Sequence, residues 1–419
     1  MIHMKNTFER IFAVVIVLAF IVGLAACAKP AEPTTTTQPA ASESTAPATT
    51  ETTAPAATEP ESGSKWDQFS LDILPQTPDA RLSVQEVSCP EYDPETEWAI
   101  LLGCRGDVAL WNLRTIVSHR GDMSEGLDRP PDPMRLVLFN VRTGETLVEI
   151  NNQEVTDWDY AQLYRDDALL LVKNDADGLV FSSRDQDGSK VLFTAEQAEN
   201  MTFTSFENGD IVYAYGNRDT SHGIRMFSGG ALRDIRTWGM QTGENGYLGF
   251  GLDTYGDSFA CPYQRDGSLV FLQVNGDGTT AEYTLTPPEE KLNDFTLTPY
   301  GMMLCVVLNE ETAQPGRVLA LYTPDGGLYG KRLTYSDTAL YSLCYGSRYG
   351  LAVNSAGKPY LFWTDGKSVS GAWLRGLLRD QTDLPEDLMS GEADVRHARD
   401  DSFYLYYPDA NRMFLLTIE

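Results

Sequence analysis

MRLVLFNVRTGETLVEI, residues Met134–Ile150, reads as one β-hairpin. Leu136, Leu138 and Val141 lean to one side, Thr143-Gly144-Glu145 supplies the turn, and Leu147-Val148 and Ile150 return. The same pattern recurs along the chain. A strand carries a bulky apolar residue, a Gly-bearing turn follows, and a second strand runs back. The bulky positions are Phe139, Phe181, Phe227, Phe271, Leu321, Phe362 and Phe414, at steps of 42, 46, 44, 50, 41 and 52 residues. Strand-type composition repeating at that period predicts a β-propeller.

A second mark keeps step with the first. A tight turn precedes each predicted second strand: Arg105-Gly106-Asp107, Arg165-Asp166-Asp167, Asn208-Gly209-Asp210, Tyr255-Gly256-Asp257, Tyr300-Gly301, Tyr349-Gly350 and Arg399-Asp400-Asp401. Gly and Asp tolerate the positive φ of short hairpins. The second strands are expected at Val108–Trp111, Leu169–Val172, Ile211–Tyr215, Ser258–Cys261, Leu304–Leu308, Leu351–Val353 and Phe403–Tyr407, continuous apolar runs suited to burial between blades. Two marks, each found seven times, predict an all-β, seven-bladed propeller. Phe414 lies five residues from the end of the sequence, which leaves the seventh blade without a fourth strand. Arg81–Val87 is predicted to supply it and close the ring, because an open ring exposes a sheet edge.

Upstream of this body (65–419) lie two further segments. Lys5 and Arg10 precede an apolar run, Ile11–Leu24, which ends in Leu24-Ala25-Ala26-Cys27. A run this short, finishing in small residues, reads as a signal peptide over residues 1–26 and not as a spanning helix. Leu-Ala-Ala-Cys resembles the bacterial lipobox. The resemblance implies cleavage before Cys27, lipidation of its thiol by diacylglycerol and acyl chains such as palmitate, and a lipid-anchored protein on the extracytoplasmic face of the cell membrane. Two or three chains anchor far more firmly than one. Loss of residues 1–26 removes two cations and one anion, so the net charge goes from −28 to −29. Residues 27–64 then form a stalk. Ala28–Ser64 is rich in Thr, Ala, Pro and Glu and has no aromatic residue and no Leu, Ile or Val, so it has nothing to bury. Its 37 residues would reach roughly 30–35 Å as a coil and about 115 Å as polyproline II.

The charge excludes some classes of function. A chain at −28 lacks the basic footprint of nucleic-acid binding and is repelled by anionic lipid. Beyond Cys27 there are five cysteines, Cys89, Cys104, Cys261, Cys305 and Cys344, with no CxxC and no metal-type spacing. Three of them sit in apolar runs, as small buried hydrophobes do. His119, His222 and His397 are scattered, so neither a His-based metal site nor a Ser/His/Asp triad is assembled. No catalytic residue, metal or cofactor is implied. Asp175–Gly178, Asp185–Gly188 and Asn275–Gly278 imitate fragments of calcium loops. The fullest register still lacks its closing carboxylate, and hairpin turns account for all three. Ser183–Gly188 is close to a sialidase Asp-box with its Gly displaced by one, and no Arg and Tyr constellation accompanies it. Arg-Gly-Asp occurs at 105–107, inside the recurring turn, and at 120–122.

The repeats are similar to the quinoprotein-like and WD-repeat-like propellers of bacteria; Asn140–Glu145 resembles the turn of quinoprotein-like repeats. Trp-Asp pairs occur at 66–67 and 158–159, off the blade period, so the chain is no regular WD-repeat protein. The resemblance implies a fold only.

Two places break the spacing: Arg114–Pro133, between the second and third strands of blade 1, and Ala372–Asp394, between blades 6 and 7. Loops of both kinds emerge on one face of a propeller, and long loops on a rigid scaffold are where binding concentrates. His119, Arg120, Asp122 and Glu125 in the first, with Trp373 and Arg375 in the second, are the candidate binding residues. The expected function is recognition of an envelope protein or glycan by an anchored scaffold. Two alternatives stand beside it: a propeller enzyme acting on glycans through acids converging on the central channel, and a purely structural part of an envelope machine.

Overall fold

All seven apolar runs predicted as second strands are the second strands of seven antiparallel sheets in the computed structural model. The described residues are Trp66, Gln68, Phe69 and 77–419, less 116–133, 152–157, 176, 217–220, 240–243, 248–251, 266, 286–289, 309–315, 334–339, 380–384, 386–387 and 389–390. The predicted signal segment, Cys27 and the stalk lie outside them. Among the described residues no helix is long and apolar enough to cross a membrane.

Blade 1 is Glu97–Arg105, Val108–Thr115, Met134–Asn140 and Glu145–Ile150, each strand pairing with the next. Blades 2 to 6 repeat the order, with inner strands Tyr160–Leu163, Asn200–Ser205, Glu244–Tyr247 with Asp253–Tyr255, Glu290–Thr298 and Leu340–Tyr345. The seven bulky markers all fall in third strands. Blade 7 contributes Asp394–Arg399, Ser402–Tyr407 and Arg412–Ile418, and its fourth strand is Leu82–Val87. That strand pairs antiparallel with the chain's last one, from Leu82 opposite Ile418 to Val87 opposite Met413. The ring closes as the missing fourth strand requires, and the paired edge no longer offers free N–H and C=O groups.

The core is divided. Each blade interface carries its own apolar layer, for example Leu110, Leu138, Leu163 and Leu171 between blades 1 and 2, and Trp111, Val137, Tyr404 and Tyr406 between blades 7 and 1. This is why the second strands read as unbroken apolar runs: one face packs on the preceding blade and the other on the following one. Trp66 is completely buried in the layer of blades 4 and 5, beside Phe69 and Tyr322, and its carbonyl accepts a hydrogen bond from Arg332 Nη2 at 3.2 Å.

The recurring turns behave as hairpins, with positive φ at Gly106, Arg165, Gly209, Gly256 and Asp400. Blade 6 differs from its expected register. Tyr349 and Gly350 belong to the strand Tyr349–Asn354, and the turn is two residues earlier, at Ser347-Arg348. Asp401 causes the shift, since its Oδ1 accepts the Arg348 and Tyr349 N–H groups and fixes that turn from the neighbouring blade. The Arg-Gly-Asp at 105–107 is structural. Asp107 is paired with Arg142 at 2.8 Å, and Arg105 reaches the Ser205 carbonyl at 2.9 Å. Asp185 accepts the N–H groups of Asp187 and Gly188, and Asp277 those of Thr279, as hairpin turns do. The five described cysteines are free.

Candidate ligand-binding cleft

Most inner strands of the propeller are irregular. Those of blades 1, 5, 6 and 7 each shift register, at Leu101/Gly103, Leu292/Asp294, Tyr341/Cys344 and His397/Arg399. A bulge re-aims the side chains beside it. In blade 4 the inner strand is divided in two, opposite a second strand that carries Pro262, a residue with no N–H for the ladder.

From blade 4 round to blade 1 these irregular strands are stapled by polar groups. Asp253 Oδ2 accepts the Leu297 N–H at 2.6 Å, from blade 4 to blade 5. Asp294 reaches on to blade 6, accepting the Leu343 N–H at 2.9 Å as well as its neighbour Phe295 at 2.8 Å. Asn293 donates to the Leu340 carbonyl across the same interface. Arg396 Nη2 donates to the Leu101 carbonyl at 3.0 Å, from blade 7 to blade 1. Burial lifts the Asp253 carboxyl to about 7, against the hydrogen bonds that lower it and with a further push from Asp294. Burial likewise lifts Asp294 to about 6. Two acids of neighbouring inner strands thus influence each other, but one oxygen of each is taken up by a backbone N–H group of the next blade.

Between blades 1, 2 and 3 such staples recur, Arg105 to the Ser205 carbonyl and Ser205 Oγ to the Leu163 carbonyl at 3.0 Å, but other polar groups are left without partners. A cleft of ≈ 560 Å³ opens there, a size suited to a small ligand. Blade 1 contributes Leu102, Asn112, Arg114, Met134 and Leu136; Trp158–Gln162 come from the start of blade 2, and Met201–Phe203 from the start of blade 3. Because Arg114 lies next to the end of a second strand, Val108–Thr115, and the others mostly lie at the starts of first or third strands, the cleft lies on the face predicted for binding. Tyr160 is 41% exposed and meets Phe203 edge-on at 6.1 Å; Leu102 is 38% exposed. Trp98, 47% exposed, lies under the Arg114 guanidinium at 5.5 Å. Three buried polar atoms around the cleft have no partner: Asn112 Oδ1, Arg114 Nε and Gln162 Oε1. Asn112 is only 6% exposed. An unpaired buried polar atom costs about 1–3 kcal/mol, so three around one cleft mark a place built to be filled. Asp159, also in the lining, is already engaged, accepting the Asn174 N–H at 2.6 Å.

Thr115 and Met134 are the described residues that flank 116–133, and Arg114 and Met134 line the cleft, so it stands at the root of the first predicted insertion. Its candidate residues His119, Arg120 and Asp122 lie outside the described residues, as does the second Arg-Gly-Asp. In the second insertion, Trp373 ends a strand and packs edge-on against Tyr360 at 5.0 Å. Arg375 is exposed on a short helix, α1 (Leu374–Leu378), whose Leu374 and Leu378 are buried between blades 6 and 7. Trp373 and Arg375 are thus placed on blade 6 and α1, apart from the residues that line the cleft. Sequence reasoning passed over Asn112, Gln162, Trp98 and Tyr160. The available signal was Asn112, one amide interrupting the apolar run Val108–Leu113. His397 is bound to the Asp400 carbonyl at 2.9 Å, and no group of three or more His, Cys, Asp or Glu side chains among the described residues could hold a metal ion.

No protein-family model matches this sequence, and no curated protein matches it. Among solved structures, it is similar to a catalytically inactive virginiamycin B lyase from Staphylococcus aureus with quinupristin, at 11% identity over 80% of this chain and 99% of that one, with a TM-score of 0.46. An oligogalacturonate lyase in complex with manganese gives 12%, 83%, 97% and 0.47. A prolyl endopeptidase gives 12% and 0.48, with 77% of this chain covering 50% of that one. At these identities the likeness is one of architecture, and the seven sheets themselves establish the propeller.

Proposed function

We propose that this chain is a lipid-anchored, extracytoplasmic binding protein that recognises a glycan through the cleft of blades 1–3. The observation that carries the reading is the coincidence of the exposed Tyr160 ring, beside Phe203, with three polar side chains that each carry an unpartnered atom, in one concavity. Sugars present apolar C–H faces to aromatic rings and hydroxyls to amides, and this lining offers both. The anchor follows from Leu24-Ala25-Ala26-Cys27 and the spacer from residues 28–64. Binding of oligosaccharides released from the cells' own envelope, measured calorimetrically on the full-length protein in detergent, tests it. Replacing Asn112 and Gln162 together by Ala is expected to weaken binding by about tenfold or more. Unchanged affinity rules out the cleft.

A second reading, catalysis on a bound glycan, is favoured by one observation, the raised pair Asp253 and Asp294. Both carboxylates are committed to backbone N–H groups, which suits a staple between blades better than an acid and base. Release of new reducing ends that stops in Asp253→Asn would establish the enzyme instead.

A further inference from the structure

Arg114 differs from the arginines that are paired with carboxylates. The chain has 60 acidic residues to 32 basic ones. Arg135, Arg142, Arg225, Arg236, Arg348 and Arg412 each hold a carboxylate within 3.1 Å. Arg114 holds none. Its ring contact with Trp98 orients the guanidinium without using any of its N–H groups, and its Nε is buried and unbonded. Asp159, the acidic residue in the cleft lining, is bonded to the Asn174 N–H.

Taking as its premise that the cleft binds a glycan, we infer that the glycan is acidic and that Arg114 reads a sugar carboxylate. A guanidinium meets a carboxylate through two parallel N–H···O bonds, and no neutral hydroxyl replaces both. The amide oxygens of Asn112 and Gln162 then accept from ring hydroxyls, and the sugar's C–H face lies on Tyr160. The ligand unit is a hexuronate. Its charge is read at short range: the net charge of −28 repels anions, and at physiological ionic strength salt screens that repulsion beyond about 8 Å. Densely sulfated or phosphorylated chains are therefore poor ligands, and sparsely carboxylated ones are good.

The test compares a glucuronate-containing oligosaccharide with the same oligosaccharide after its carboxyls are reduced to primary alcohols. Both are titrated calorimetrically into full-length protein in detergent, native and Arg114→Gln, with thermal unfolding of each protein as the folding control. Native protein is expected to prefer the acid by about ten- to a hundredfold, the range of a hydrogen-bonded charge pair. In Arg114→Gln the ratio of acid to neutral affinity is expected to fall to about one. Arg114→Lys, which keeps the charge but not the fork, recovers part of the preference. Equal binding of acid and neutral sugar by native protein overturns the carboxylate reading and leaves the glycan cleft standing. A preference that survives in Arg114→Gln overturns the role of Arg114. Binding of neither sugar overturns both, together with the function proposed above.

Discussion

Replacing Asp253 by Asn should change how stability depends on pH. The unfolded carboxyl titrates from 3.8, and burial in the folded protein lifts it to about 7. Between those values the native state holds a proton that the unfolded state has released. Stability from this group is therefore fully present below pH ~4 and is lost as pH rises through 7. At about 1.36 kcal/mol per pH unit, the gap amounts to about 4 kcal/mol, of which about 3 kcal/mol falls between pH 5 and pH 8. Asn does not titrate, yet its Oδ1 can still accept the Leu297 N–H. Urea unfolding at the two pH values reads the effect directly. The native protein should lose stability from pH 5 to pH 8 by about 3 kcal/mol more than Asp253→Asn, and the variant should be the more stable of the two at pH 8. Part of the native pH dependence remains in the variant, because Asp294 is lifted in the same direction. Identical pH dependence in the two proteins would show that the Asp253 carboxyl is not enclosed as described, and the argument for a polar staple between blades 4 and 5 would fail.

Three further outcomes follow from the packing. Trp66→Ala empties a fully buried site between Phe69 and Tyr322, and should cost about 3–5 kcal/mol by urea unfolding; a loss under ~1 kcal/mol would mean that the segment is not docked there. Removing residues 1–87 uncovers Arg412–Ile418 as a sheet edge, and concentration-dependent association is expected in light scattering, whereas a monodisperse monomer would count against ring closure by Leu82–Val87. Burial pushes the thiols of Cys89, Cys305 and Cys344 up to about 12, so at pH 8 the five cysteines of the body should react with thiol reagents only on unfolding. Rapid labelling of Cys305 or Cys261 in folded protein would contradict their burial.

The blade count was legible because both of its sequence marks have local causes. A residue such as Phe181 or Phe271 is apolar because it stands in a third strand between two blades, and a residue such as Gly106 or Gly256 recurs because a short hairpin needs positive φ. Neither depends on contacts far along the chain. The closing strand was legible by subtraction, since six blades had four strands and the last had three. The inner strands were not legible. Their register shifts sit among bonds to neighbouring blades, such as those of Asp294 and Arg396, and no periodicity within one strand records that. For the same reason Asp294 reads as an ordinary exposed acid, although its partner Leu343 is 49 residues away. The cleft was half visible. The insertion after Arg114 marked its rim, while Asn112 and Gln162 belong to it only because blades 1 and 2 bring their strands together.

The contrast between the two halves of the inner ring bears on where a ligand binds. Polar side chains on inner and second strands face the same difficulty all round the axis, since each is withdrawn from water and needs a partner. From blade 4 to blade 1 the partner is the next blade's backbone, as Asp253, Asp294 and Arg396 show. These bonds tie neighbouring inner strands together and leave no orphan among those residues. Between blades 1 and 3, Arg105 and Ser205 make bonds of this kind, but Asn112 Oδ1, Arg114 Nε and Gln162 Oε1, around the cleft, make none. If stability alone had shaped this ring, the cheapest change would be to replace Asn112 by Val or Leu, which would extend the apolar layer of Leu110 and Leu136 and remove an unpaired amide. An amide that serves only an absent partner weakens the free protein, so Asn112→Leu should raise its stability and abolish ligand binding in the same variant. A variant that gained stability and still bound would show that the amide belongs to the fold and not to the site.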